Sequence, residues 1–227
     1  MLGPRPPFHE SSFPDSALRR QSNRARGGKR SHPRVRARPI LPGARYKITR
    51  RCHGRAFFLR PSPEVVQGVG YWLAQCLAGT RIQLHAFVFM SNHYHLDVTD
   101  PHGEIVEFKN RLNAILARYL NTVLGRSDSV WSADGPCDVQ ILSDHDMLQS
   151  MAYTLANPNQ AGLVKWGHRW PGLTSYGMDF GETREFRRPA AFFDASNDSL
   201  PESATLVLTR PAIYPEFSDA ELQARLM

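Results

Sequence analysis

Apolar residues recur with two different periods along this chain, and each change of period marks an element. From about residue 44 to 51 they alternate with polar ones, the two-residue repeat of a strand, and a short extended piece follows at 55–59. At Ser62-Pro63-Glu64 the period lengthens: a capping serine, a proline in the first turn and an acid at the positive end start a helix. Val65, Val66, Val69, Trp72, Leu73, Cys76 and Leu77 form its apolar stripe and Gly79 ends it. Arg81 to Met90 and His93 to Thr99 read as strands joined by a tight turn around Ser91-Asn92. A long helix follows from about Glu104 to Leu124, burying Phe108, Leu112, Ile115, Leu116, Tyr119 and Val123. Asp144-His145-Asp146 starts another, carried by Met147, Leu148, Met151 and Leu155, and Pro158 sets its end near Asn157. Strand, helix, hairpin, helix predicts an α+β fold: an antiparallel sheet with helices packed on one face and polar groups exposed on the other.

Chemistry enters at Asn92-His93-Tyr94-His95. On a strand, His93 and His95 share one face while Tyr94, Leu96 and Val98 point into the core. Two imidazoles side by side suit a divalent metal, although the pair alone is a weak signal and partly exposed strand histidines are its plainer reading. Tyr153 and Asn157, four apart, share a face of the last helical turn. His53, His85, His102, His145 and His168 have no comparable spacing and read as ordinary surface or core histidines.

These segments, in this order, resemble the tyrosine transposases of the HUH single-strand nuclease superfamily, the REP-associated group in particular. The resemblance rests on Asn92-His93-Tyr94-His95, on Tyr153 through Asn157-Pro158 to Ala161-Gly162-Leu163-Val164, on Trp170-Pro171-Gly172-Leu173-Thr174-Ser175-Tyr176, and on the strand and basic loop from Tyr46 to Arg51. It spans roughly residues 40 to 180. It implies a ferredoxin-like, RRM-like nuclease fold. It also implies His93, His95 and Asn157 as ligands of Mg²⁺ or Mn²⁺, and Tyr153 as the nucleophile that forms a 5′-phosphotyrosine adduct. The implied partner is single-stranded DNA beside a hairpin, and the implied setting is the bacterial cytoplasm and nucleoid. The chain departs from the pattern at residues 130–138, where acidic residues stand in place of an expected basic segment, and at Met90-Ser91, where serine replaces a proline. A hairpin-binding protein with weakened chemistry is the alternative. Monomer and homodimer both stay open.

Charge is unevenly placed. Residues 1–40 carry ten Lys or Arg against Glu10 and Asp15, whereas the rest of the chain is nearly balanced, so the net +7 belongs to a basic, aperiodic arm that reads as disordered. A second cluster, Arg45, Lys47, Arg50, Arg51, Arg55 and Arg60, contains no acid and is interleaved with aromatics, the composition of a single-stranded nucleic-acid channel. The chain thus divides into an arm (1–40), a nuclease-like domain (41–180) and an extension (181–227). That extension holds one strand candidate at 203–210 and a helix start at Ser218, and its abrupt end reads as truncation. Cys52, Cys76 and Cys137 make neither a zinc ribbon nor a disulfide scaffold. No apolar run reaches membrane-spanning length, the N-terminus lacks a signal-peptide core, and no phosphate loop or dinucleotide fingerprint occurs.

Overall fold

The structure, a computed structural model, describes residues 40–192 and 200–227. The basic arm expected at 1–40 lies, but for its last residue, outside the described residues.

Four strands, β1 (Ala44–Arg51), β2 (Gln83–Phe89), β3 (His93–Asp100) and β4 (Cys137–Ile141), form one sheet in the order β2-β3-β1-β4, every neighbouring pair antiparallel. With α1 (Pro63–Ala78) after β1 and α2 (Ile105–Val123) after β3, this is the βαββαβ plan of the ferredoxin-like fold. Strict alternation sorts the side chains. Ile48, Tyr94, Leu96 and Val98 point to the face covered by α1 and α2, and all four are fully buried. Gly68 of α1 lets the helices approach, since a Cβ there would fall 1.9 Å from the Tyr119 ring of α2. Ser62 caps α1 through Val65 N–H. The start of α2 is capped from a distance by the Asp100 carboxylate, which accepts from the N–H groups of Gly103, Glu104 and Ile105 at 2.8–2.9 Å.

The one-face arrangement holds for α1 and α2 but not for α3 (Asp144–Gln160), which crosses the opposite face. There Met147, Met151 and Leu155 pack on Ala86. Ala86 reaches that face because β2 carries a bulge: Leu84 pairs with Val98 and Ala86 with Asp97, leaving His85 as the extra residue. His85 is therefore a core histidine, with Nδ1 on the Thr209 carbonyl and Nε2 on Thr99 Oγ1, and burial holds its pKa down at about 4. α3 also runs past the expected stop at Asn157. Pro158 lacks only the N–H that would meet residue 154, and its ring is buried, so the helix continues to Gln160. Its N-cap is Ser143, whose hydroxyl accepts from Asp146 N–H.

Residues beyond 180 share these cores. β5 (Thr183–Arg187) and β6 (Ser203–Val207) pair antiparallel and lie on α1, where Phe186 covers Gly70 and Leu206 joins the cluster around Ile48. α4 (Asp219–Leu226), opened by a Ser218/Glu221 capping box, sets Leu222 and Leu226 against Met147 and Met151 of α3. All three cysteines are free; burial pushes the thiols of Cys52 and Cys76 up to about 12 and about 11. No helix among the described residues is long and apolar enough to cross a membrane.

Candidate active site

Pairing of β1 with β3 generates a ladder of polar cross-strand pairs on the α3 face: Arg51 opposite His93, Thr49 opposite His95, and Lys47 opposite Asp97. α3 lies over this ladder and brings Tyr153 and Asn157 to its upper end. The result is a cleft of about 460 Å³ lined by Arg51, Arg55, Asn92, His93, His95, Tyr153, Asn157, Gln160 and Ala161.

The two imidazoles stand edge to face, ring centroids 4.8 Å apart, and the Tyr153 ring lies 5.8 Å from His95. His95 is buried, and its Nδ1 is 2.8 Å from Thr49 Oγ1. His93 donates from Nδ1 to Asn92 Oδ1 (2.7 Å) and also hydrogen-bonds to Asn157. Burial, reinforced by neighbouring cations, holds His95 at about 3 and lowers His93. Both rings are therefore neutral near pH 7, with their Nδ1 atoms engaged and a second ring nitrogen each, as metal-binding imidazoles require. Among the described residues no group of three His, Cys, Asp or Glu could hold a metal ion, and the donors facing the cleft include the two imidazoles and the Asn157 amide. That set carries no charge of its own. Tyr153 is 45% exposed, which leaves its hydroxyl accessible from the cleft.

Deeper between sheet and helix lies a buried network that sequence reasoning missed. Asp97, wholly buried, accepts from Ser150 Oγ and Thr154 Oγ1. Lys47 Nζ donates to Thr154 Oγ1 (2.6 Å), Ser150 Oγ (3.2 Å) and the Ser150 carbonyl (3.1 Å), and sits 3.6 Å from Asp97 Oδ1. Burial raises the Asp97 pKa and lowers that of Lys47, and each group's partner opposes the shift. The same ammonium lies 5.0 Å from the Tyr153 ring centroid. The signal was present in outline, since Asp97 continues the His93/His95 alternation and Ser150 and Thr154 are one helical turn apart.

The six basic residues expected to face nucleic acid separate, and Arg60 lies exposed. Arg51 and Arg55 line the cleft. Lys47 is consumed by the network, and Arg45 pairs with Asp144 at 2.5 Å. Arg50 alternates with Arg51 to the core side, where it is 9% exposed and stacks 5.7 Å from the Trp131 ring. The acidic departure at 130–138 also has a structural use, because Asp138 binds Lys109 of α2 at 2.6 Å.

The extended piece expected at 55–59 is instead a turn, with Gly54 and Arg55 both at φ 57°. Arg55 is the single non-glycine residue at positive φ among those described, and its carbonyl accepts from Asn92 Nδ2 at the cleft rim. A left-handed arginine costs roughly 1–2 kcal/mol. Such strain, held at a cleft, fits a side chain fixed for binding. Arg55→Gly is expected to keep stability or raise it by up to about 1 kcal/mol, net of glycine's entropy. Melting curves check this; a lower melting temperature would refute the strain.

No protein-family model and no curated protein matches the chain. Solved structures do. A REP-associated tyrosine transposase bound to a REP hairpin matches with TM-score 0.53 at 17% identity, over 63% of this chain and 82% of that one. A candidate transposase from Deinococcus radiodurans matches at 20% identity over 52% of this chain and 92% of that one, with TM-score 0.38. The first match shows that the chain has the fold of that transposase.

Proposed function

We propose that the chain is a metal-dependent single-stranded DNA endonuclease and strand transferase that cuts beside hairpins through Tyr153. The observation that carries this reading is the meeting of the accessible Tyr153 hydroxyl with a neutral imidazole pair, Asn157 and two free arginines in one cleft. The hairpin in the partner of the structurally similar transposase supports the choice of DNA.

In this reading Arg51 and Arg55 hold the phosphates of the entering strand, and the cleft admits a single strand beside the tyrosine. Tyr153 Oη attacks phosphorus; the Oη–P bond forms as the P–O3′ bond breaks. The phenolic proton leaves to solvent, the departing 3′-oxygen gains one, and the 5′ end remains on the tyrosine as a phosphodiester. No bond energy is lost, so a second 3′-hydroxyl reverses the step and joins strands. His93, His95 and Asn157 would hold Mg²⁺ or Mn²⁺, which neutralises charge on the phosphate oxygens. Thr49 and Asn92 orient the imidazoles. The uncharged donor set favours a second reading, a hairpin-binding protein with feeble chemistry.

The test is a denaturing gel with end-labelled hairpin DNA bearing unpaired flanks, with Mn²⁺, Mg²⁺ or a chelator. A slow, protease-sensitive band that needs the metal is expected. Tight binding with no adduct would move the binder reading ahead, and cleavage without adduct would point to activated water.

A further inference from the structure

Beyond the C-terminus of α3 the chain makes a turn whose middle is held fast while one large side chain stays in water. Trp166 is 57% exposed, whereas Trp72 and Trp131 are buried. Its surroundings leave it little freedom. Asn159 Nδ2 of α3 donates to the carbonyls of Val164 and Lys165, and Arg169 N–H donates to the Trp166 carbonyl at 2.9 Å. Gly167 is pressed so closely on Tyr176 that a Cβ would lie 2.4 Å from that ring. Trp170 then anchors the far end through Nε1 to the Phe89 carbonyl at 3.1 Å. Lys165 Nζ stands 5.5 Å from the Trp166 ring centroid, and Arg169, three residues on, is exposed. The turn departs from Gln160 and Ala161, which line the Tyr153 cleft.

From this we infer that Trp166 is a stacking platform for an unpaired base of the DNA strand as it passes the cleft, with Lys165 and Arg169 holding the adjoining phosphates. The proposal rests on the single-stranded DNA reading above and adds to it a subsite outside the catalytic cleft. A pinned backbone presenting an indole with one cation over its ring and the opposite face open meets both needs of a single strand: a π face for any base, and positive charge for the backbone. Because the turn is already ordered, little conformational entropy is lost on binding. Charge complementarity favours a nucleic acid over an apolar protein surface, since the run Lys165 to Arg169 around the indole carries two cations and no acid.

The experiment compares the full chain with Trp166→Ala and Trp166→Phe by fluorescence anisotropy on two DNAs, a hairpin with an unpaired tail and the same hairpin blunt-ended. Trp166→Ala is expected to weaken binding of the tailed hairpin about tenfold and to leave the blunt one unchanged, with Trp166→Phe recovering most of the loss. Tryptophan fluorescence should be quenched by the tailed DNA in the wild type, and that quench should vanish in Trp166→Phe. Equal losses on both DNAs, or none on either, overturn the platform while wild-type binding leaves the proposed function standing. A wild type that binds neither DNA overturns both. If Trp166→Ala instead shifts sedimentation from dimer to monomer at unchanged DNA affinity, the surface belongs to a second copy and the platform is wrong.

Discussion

Asp97→Ala is expected to cost about 3–5 kcal/mol of folding stability, the loss found when one member of a buried ion pair is removed. The magnitude follows from what remains. Lys47, already disfavoured as a cation by burial, would lose its counterion, and the Ser150 and Thr154 hydroxyls would lose their acceptor in the same stroke. These are also the groups that tie α3 to the sheet, so the Tyr153 helix should loosen before the α1/α2 side does. Hydrogen exchange would then rise first in α3 and last in β3. Lys47→Met combined with Asp97→Leu removes both charges and should recover most of the stability. Denaturant unfolding of the three proteins decides the matter: a cost under about 1 kcal/mol for Asp97→Ala would mean that Met147, Met151 and Leu155 alone hold the helix.

That network marks the limit of what the sequence disclosed. Alternation along β1 and β3 was enough to place His93 and His95 on one face and Tyr94 on the other, because a strand's period is two and tolerates no drift. The same rule would have turned Arg50 inward with Tyr46 and Ile48, had the basic residues been sorted by parity instead of counted as a cluster. Other features were not legible. The run from Leu84 to Met90 is apolar save for His85, so nothing in it announces the bulge that turns Ala86 toward α3. α3 itself meets the sheet half through methionines and half through Lys47 and Asp97, and a mixed interface leaves no broad apolar stripe to read. The segment after 180 looked separate because Phe186 and Leu222 are scattered among charged residues, and they and Leu206 find partners far away in sequence.

Tyr153→Phe is expected to abolish the covalent adduct, lowering strand cleavage by a factor on the order of 10⁴ or more while hairpin binding persists. Phenylalanine keeps the ring that faces His95 and Lys47 and removes only the oxygen, so stability should change by no more than about 0.5 kcal/mol at this half-exposed site. The chain's other tyrosines are poor substitutes. Tyr71, Tyr119 and Tyr214 each donate their hydroxyl to a backbone carbonyl and Tyr94 donates to Asn113 Oδ1, and burial pushes all four pKa values up, those of Tyr119 and Tyr214 to about 12. Tyr46 is buried and Tyr176 is packed against Gly167. A Tyr153→Phe protein that still forms a protease-sensitive DNA band would therefore leave no second phenol in the cleft to credit, and the nucleophile would be a group other than tyrosine. Mass spectrometry of the DNA-linked peptide from the wild type provides the complementary check, since only a phosphodiester on the peptide containing Tyr153 fits the assignment.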